Sequence, residues 1–265
     1  MPVFDRGGVE LNYLDEGKGL PVLLLHAFPF SSEMYRPQIS ALAAKYRFIA
    51  PDLRGFGRSP APARPSEMSA FAEDALALLD HLEVDAAVVG GVSMGGYVAM
   101  ALLQLDPSRV RALVLADTQM SSDDEAGKQR REETARAVEA RGMDALVETL
   151  VPKLLAQPAR PDVEETVIRI IRANPPAGAA AATRGMALRP DSRDILARFA
   201  GPSLILVGEK DALTPRAKAE EMARVLSGAE LVEIPGAGHL ANLEMPDAFN
   251  RALDSFLRRL RERGS

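Results

Sequence analysis

Ser93 lies in Gly90-Gly91-Val92-Ser93-Met94-Gly95-Gly96, with a glycine two residues before it and another two after. A serine on a sharp turn between a strand and a helix requires this spacing. A side chain at either flanking position would collide with the neighbouring strand or helix. Such a hydroxyl, paired with a base, would attack an electrophilic carbonyl and form a covalent intermediate. The pattern alone decides little. At roughly 7% usage of each fixed residue, a chain of this length carries one by chance about one time in ten. The structural alternative is a serine that merely caps a helix in a glycine-rich turn.

A serine nucleophile needs a base, and the chain has only 3 histidines. His81 falls near the end of an amphipathic segment beside Leu79 and Leu82, where a helix C-terminal residue is expected. His26 ends an early apolar run in His26-Ala27-Phe28-Pro29 and reads as a structural hydrogen-bonding residue. His239 follows Ile234-Pro235-Gly236-Ala237-Gly238, a permissive loop after the last strand-like run, and is the candidate base. The third member must be a carboxylate that orients the imidazole and stabilises its charged form. Asp211, in Val207-Gly208-Glu209-Lys210-Asp211, follows the preceding strand-like run. Asp117 also follows a strand-like run and stays open as a competitor. Asp52 sits in the glycine-rich Asp52-Leu53-Arg54-Gly55-Phe56-Gly57-Arg58-Ser59 and reads as part of a structural loop; Glu209 is expected to point elsewhere. The order Ser93, Asp211, His239 is that of one triad class.

These residues need a scaffold. Six short runs are rich in Val, Leu and Ile, and several have the near-continuous apolar character of strands buried on both faces of a parallel sheet. They are Leu20–His26, Tyr46–Ala50, Ala86–Gly90, Ala112–Ala116, Ser203–Val207 and Glu230–Ile234. Between them, Ser66–Leu82, Met94–Leu105 and Pro246–Leu260 read as helices. Ser66 is a possible helix start without the Glu of a capping box. Val9–Tyr13 alternates between glycines and predicts an antiparallel edge hairpin. Alternating strand and helix units predict an α/β fold with a mostly parallel, doubly wound sheet. The alternation breaks over residues 121–189, where four helical stretches appear: Asp123–Ala140, Met143–Leu155, Asp162–Arg172 and Ala177–Leu188. That block is expected to be a helical insertion, with residues 1–120 and 190–265 forming the core domain.

Composition narrows the rest. With 265 residues and 47% hydrophobic content the chain can bury one sizeable core. A net charge of -5 gives no reason to expect nucleic acid or an anionic membrane as a partner. No run approaches the ~20 apolar residues of a membrane span. The N-terminal residues do not read as a signal peptide, so a cytoplasmic location is the expectation. With 0 cysteines, disulfides, thiolate catalysis and cysteine-ligated metals are excluded. The sequence carries no signal for an oligomeric state.

Five signals in order resemble the α/β-hydrolase superfamily over nearly the whole chain. They are His26-Ala27-Phe28-Pro29, the loop Asp52–Ser59, the Ser93 elbow, Gly208-Glu209-Lys210-Asp211, and Gly238-His239 followed by Leu243-Glu244-x-Pro246. The resemblance is to its serine carboxylesterase, enol-lactonase and perhydrolase-like branch. It implies about eight strands and a short helical cap, or lid, inserted after the sixth. It implies an oxyanion hole formed by the backbone N–H groups of Phe28 and Met94. Ala27 departs from the family pattern, which usually has glycine there, and is tolerable where its φ is negative. A serine at the elbow argues against haloalkane dehalogenase and epoxide hydrolase chemistry, which in related folds use aspartate at this position.

The expectation is therefore a serine hydrolase that acts on short to medium acyl esters through an acyl-enzyme, with no cofactor and no metal. Its partner is a small-molecule ester or lactone. A 3-oxoadipate enol-lactonase-like activity is the first alternative. An alternative of another class is a small-molecule receptor on the same fold with vestigial hydrolysis.

Overall fold

The computed structural model describes residues 1–61 and 66–263; residues 62–65, 264 and 265, which belong to the expected core segments, lie outside the described residues. Its strands are β1 (Val3–Asp5), β2 (Glu10–Glu16), β3 (Pro21–Leu25), β4 (Arg47–Pro51), β5 (Ala87–Val92), β6 (Val110–Ala116), β7 (Ser203–Gly208) and β8 (Glu230–Ile234). They form one 8-stranded sheet in the order β1-β2-β4-β3-β5-β6-β7-β8. β2 runs antiparallel to both β1 and β4, and every other pairing is parallel. The N-terminal hairpin is thus an edge, as its alternating pattern requires. β5 and β7 are buried at every residue, which explains why their sequences are continuously apolar.

The helices are α1 (Arg36–Leu42), α2 (Met68–His81), α3 (Met94–Leu105), α4 (Glu125–Arg141), α5 (Asp144–Leu154), α6 (Pro161–Arg172), α7 (Pro176–Ala187), α8 (Arg193–Arg198), α9 (Arg216–Val225), α10 (Ala241–Glu244) and α11 (Pro246–Arg263). α2, α3, α8 and α9 pack in one connected layer, and α1, α10 and α11 in another. The apolar stripe of α2 buries Met68, Phe71, Ala75, Leu78 and Leu79. Ser66 does not cap that helix. The cap position is Glu67, which makes no side-chain cap bond, and the Ser66 hydroxyl is buried without a partner.

Strand order changes direction between β3 and β5. β3 is followed in the chain by β4 on one side, whereas β5 leads to β6 on the other. The two segments leaving β3 and β5 therefore run to opposite sides at the C-terminal edge of the sheet, the place where open α/β sheets put their ligands. The insertion α4–α7 enters after β6 and returns before β7. Its ends are tied together: Arg189 donates to the Ser121 carbonyl at 3.0 Å and to Asp123 at 2.9 Å, and Ser192 N–H donates to the Met120 carbonyl at 2.9 Å. Within it, α4 packs along α7 and α5 against α6. Among the described residues, no helix is long and apolar enough to cross a membrane.

Candidate active site

Ser93 stands between β5 and α3 with φ 53° and ψ -114°, a region that non-glycine residues adopt only when their surroundings force it. Two close approaches do the forcing. A Cβ on Gly91 would lie 2.1 Å from the Gly95 carbonyl carbon, and one on Gly95 would lie 1.8 Å from the Leu25 carbonyl oxygen. The turn is pinned from the side as well: Ser93 N–H donates to the Ala116 carbonyl at 2.9 Å, and Thr118 Oγ1 donates to the Ser93 carbonyl at 2.8 Å. Although Ser93 occupies the position before α3, its side chain makes no capping bond. The capping alternative therefore fails, and the hydroxyl is left for another partner.

That partner is His239, whose Nε2 lies 2.8 Å from Ser93 Oγ. On its other side, Nδ1 lies 3.0 Å from Asp211 Oδ1 and 2.9 Å from Oδ2. Asp211 also accepts from the N–H groups of Leu213 at 2.8 Å and Thr214 at 2.9 Å, and from Thr214 Oγ1 at 2.6 Å. Burial opposes the Asp211 charge, but the His239 ring and the Thr214 donors outweigh it and hold the carboxyl below its ordinary value. The imidazole is buried, and its backbone is fixed from the insertion, since His239 N–H donates to the Leu154 carbonyl at 2.9 Å. With Asp211 accepting at Nδ1, the neutral ring offers its Nε2 lone pair to the serine hydroxyl.

The competing residues fall elsewhere. Asp117 is buried with φ 45°, and its carboxylate accepts from the Gly208 N–H at 2.8 Å and the Ala241 N–H at 3.3 Å. Burial, reinforced by the nearby Asp211 charge, pushes its carboxyl well above the ordinary value. Asp52 orders its loop by accepting from Ser32 N–H at 2.9 Å, Ser32 Oγ at 2.7 Å and Arg58 N–H at 3.0 Å. Glu209 accepts from Gly236 N–H at 2.7 Å, away from the histidine. His26 is fully buried, bonded through Nδ1 to the Ala27 carbonyl at 2.9 Å and through Nε2 to the Leu53 N–H at 3.0 Å. Burial lowers its pKa to about 4. His81, at the end of α2, stacks on Phe4 with ring centroids 4.7 Å apart.

Phe28 lies in the loop after β3, and Met94 begins α3 directly after Ser93, so the two backbone amides implied by the family resemblance belong to segments that leave adjacent strands. Among the described residues, neither N–H donates to a protein acceptor. Ala27 has no left-handed φ, which removes the obstacle to alanine in this loop. Its N–H donates to Met34 Sδ at 3.2 Å.

A model of the alpha/beta hydrolase fold family matches residues 21–246. The chain belongs to that family. A thermophilic esterase from Thermogutta terrifontis, solved with malate bound, superposes with a TM-score of 0.94 at 39% identity, covering 98% of this chain and 97% of that one. A 3-oxoadipate enol-lactonase of Acinetobacter baylyi is 28% identical over 98% of this chain and 99% of its own. A haloalkane dehalogenase of Mycobacterium tuberculosis is 29% identical over 94% of this chain and 92% of its own. Relatives on the alpha/beta hydrolase fold thus carry several chemistries, and the site has to discriminate among them.

Three residues that bear on this alpha/beta hydrolase site carry no role in the sequence reading. Thr214 follows Asp211 by three positions, a spacing at which a turn returns side chain to backbone, so a local signal exists. Glu244 is buried and accepts from Gly238 N–H at 2.9 Å and from Ala156 N–H at 2.7 Å, joining the histidine loop to the insertion. Asn174 reaches the loop after β3 from the insertion. No local pattern announces it, because its partners are remote in the chain.

Proposed function

We propose that this protein is a serine hydrolase, a carboxylesterase for short to medium acyl esters. The supporting observation is the chain of contacts from Ser93 Oγ to His239 Nε2 at 2.8 Å and from His239 Nδ1 to Asp211 at 2.9 Å. Ser93 Oγ attacks the ester carbonyl while His239 takes its proton, and Asp211 holds the ring in the tautomer that leaves Nε2 free. The Phe28 and Met94 amides receive the developing oxyanion, each such donor being worth about 2.7–4 kcal/mol in comparable sites. His239 then protonates the leaving alkoxide, and a water it deprotonates releases the acid from Ser93. In this reading the insertion, residues 121–189, acts as a lid over the site.

An esterase related at 39% identity favours ester substrates, and an enol-lactonase related at 28% favours the second reading, in which the same steps open a small lactone ring. The dehalogenase relative carries less weight, because Ser93 gives an alcohol rather than a carboxylate at the elbow. The test is a panel of p-nitrophenyl esters of graded acyl length beside small lactones, with Ser93→Ala as control. The expected result is ester turnover that disappears in the folded Ser93→Ala protein. Retained turnover in that variant removes the assignment, and a steep lactone preference replaces the esterase by the lactonase. Tight ligand binding with very slow turnover would place the protein among receptors.

A further inference from the structure

Asn174 occupies the turn between α6 and α7 and is buried to 3% exposure. Its Nδ2 donates to the Pro29 carbonyl at 2.9 Å and to the Ile170 carbonyl at 2.7 Å, while Oδ1 accepts from the Gly57 N–H at 2.7 Å. Two carbonyls and one N–H around one amide admit a single orientation of that side chain. The amide is therefore fully used, and it joins three segments: the insertion, the Asp52–Ser59 loop, and the turn Ala27–Phe30.

That turn presents the Phe28 amide. One end is closed by Phe30 N–H on the Ala27 carbonyl at 2.9 Å, with the His26 ring on the same carbonyl. The outer carbonyl, of Pro29, has Asn174 as its partner. Without Nδ2, a buried carbonyl would lose its hydrogen bond, and the peptide would turn toward another donor to recover it. Rotation in so short a turn carries the Phe28 amide with it.

We propose that Asn174 is a positioning residue, supplied by the helical insertion, that sets the Phe28 amide in register with Ser93 for oxyanion stabilisation. This rests on the acyl-transfer reading above. The insertion is thereby part of the catalytic geometry as well as a cover over it. Its attachment does not depend on Asn174. The Leu154 carbonyl still receives His239 N–H, Ala156 N–H still meets Glu244, and Arg189 still bridges to Asp123.

The experiment compares full-length wild type, Asn174→Ala, Asn174→Asp and Ser93→Ala on p-nitrophenyl butyrate, together with inhibition by an alkylboronic acid. The boronate forms a B–O bond to Ser93 Oγ as the serine proton passes to His239, and it places an oxygen where the oxyanion develops. Small displacements of catalytic groups cost up to about 100-fold, so the expected loss in kcat for both Asn174 variants is about 10- to 100-fold. KM should stay within about threefold, and boronate affinity should weaken in parallel with kcat. Boronate affinity and kcat both at the wild-type level would overturn the proposal. So would a kcat loss that merely tracks loss of folded protein. Asn174→Asp keeps the acceptor for Gly57 and the volume of the side chain while turning an acceptor oxygen on the Pro29 and Ile170 carbonyls, so it stands in where the alanine variant does not fold. Failure of both to fold would show a role in stability and overturn the proposal. Turnover surviving in Ser93→Ala would instead remove the acyl-transfer reading itself.

Discussion

Asp117 Oδ1 accepts the backbone N–H of Gly208 at 2.8 Å, which ties the loop after β6 to the end of β7. β7 is the strand that presents Asp211. The carboxylate that competes with Asp211 in the sequence thus braces the strand beside it and does not reach the His239 ring. Exchanging each acid for its amide separates the two roles. Asp211→Asn should lower kcat by about 10³- to 10⁴-fold, because the amide no longer selects the productive tautomer. Asp117→Asn should cost less than about tenfold, since an amide oxygen can still accept from Gly208. Steady-state kinetics on one ester read both, and the reverse ranking would reassign the triad acid.

Thr214 binds Oδ2 of the same acid, an oxygen that also meets His239 Nδ1, through its hydroxyl at 2.6 Å. A hydrogen bond to a charged group contributes about 1.5–3 kcal/mol, and part of that supports the imidazolium formed during reaction. Thr214→Val keeps the backbone bond and the shape while deleting the hydroxyl. We expect kcat/KM to fall about tenfold, together with a stability loss of about 1–3 kcal/mol from the donor that the buried carboxylate loses. An unaltered kcat/KM would limit Thr214 to folding the loop.

The elbow leaves no room for a methyl group at Gly95, where a Cβ would stand 1.8 Å from the Leu25 carbonyl oxygen. That obstacle is backbone in a central strand and cannot swing aside. Gly95→Ala should therefore destabilise the protein by more than about 3 kcal/mol or prevent folding. Urea unfolding beside Gly142→Ala provides the contrast: nothing lies within 4 Å of a Cβ there, although φ is 69° and a lesser strain cost is expected.

His26 supplies a pH dependence of stability. Its two ring nitrogens donate to Ala27 and accept from Leu53 only in the neutral form. Burial lowers its folded pKa to about 4, against about 6.5 in the unfolded chain. Between these values the unfolded state binds more protons, so this contribution is fully present above about pH 6.5 and is lost toward pH 4. His26→Gln, which does not titrate, should be less stable than wild type at pH 7, with a gap that shrinks as pH falls to about 4.5. Denaturant unfolding at the two pH values measures it. Taking the difference between proteins cancels the opposite trend from Asp117 and Glu244, whose buried carboxyls have raised values. A constant gap would contradict the neutral assignment.

Much of this arrangement is legible in the amino-acid sequence. Continuous apolar runs at β5 and β7 announce strands covered on both faces, and their boundaries move by only a few residues. The four helices of the insertion appear because prolines and an interrupted strand rhythm are local signals. α1, α8, α9 and α10 are not anticipated, being short or polar enough that their helicity comes from packing. Ser66 shows the converse limit. Its type favours a cap, but the chain enters α2 through Glu67, and the serine hydroxyl is left buried.

By itself, the sequence determined the strand–turn–helix around Ser93, a chain order of serine, acid and histidine past successive strand ends, and the glycines without which the turn cannot close. These follow from residue type and near-neighbour spacing, which steric exclusion and hydrophobic periodicity translate directly into local structure. Only the tertiary structure shows that Asp211, and not Asp117, meets the His239 ring. Both acids end parallel strands, and the choice depends on which side chain meets the His239 ring across the sheet edge. It also brought Asn174 to Pro29, 145 residues away. A contact of that kind is set by how the insertion packs on the core, and no local pattern of residues encodes it.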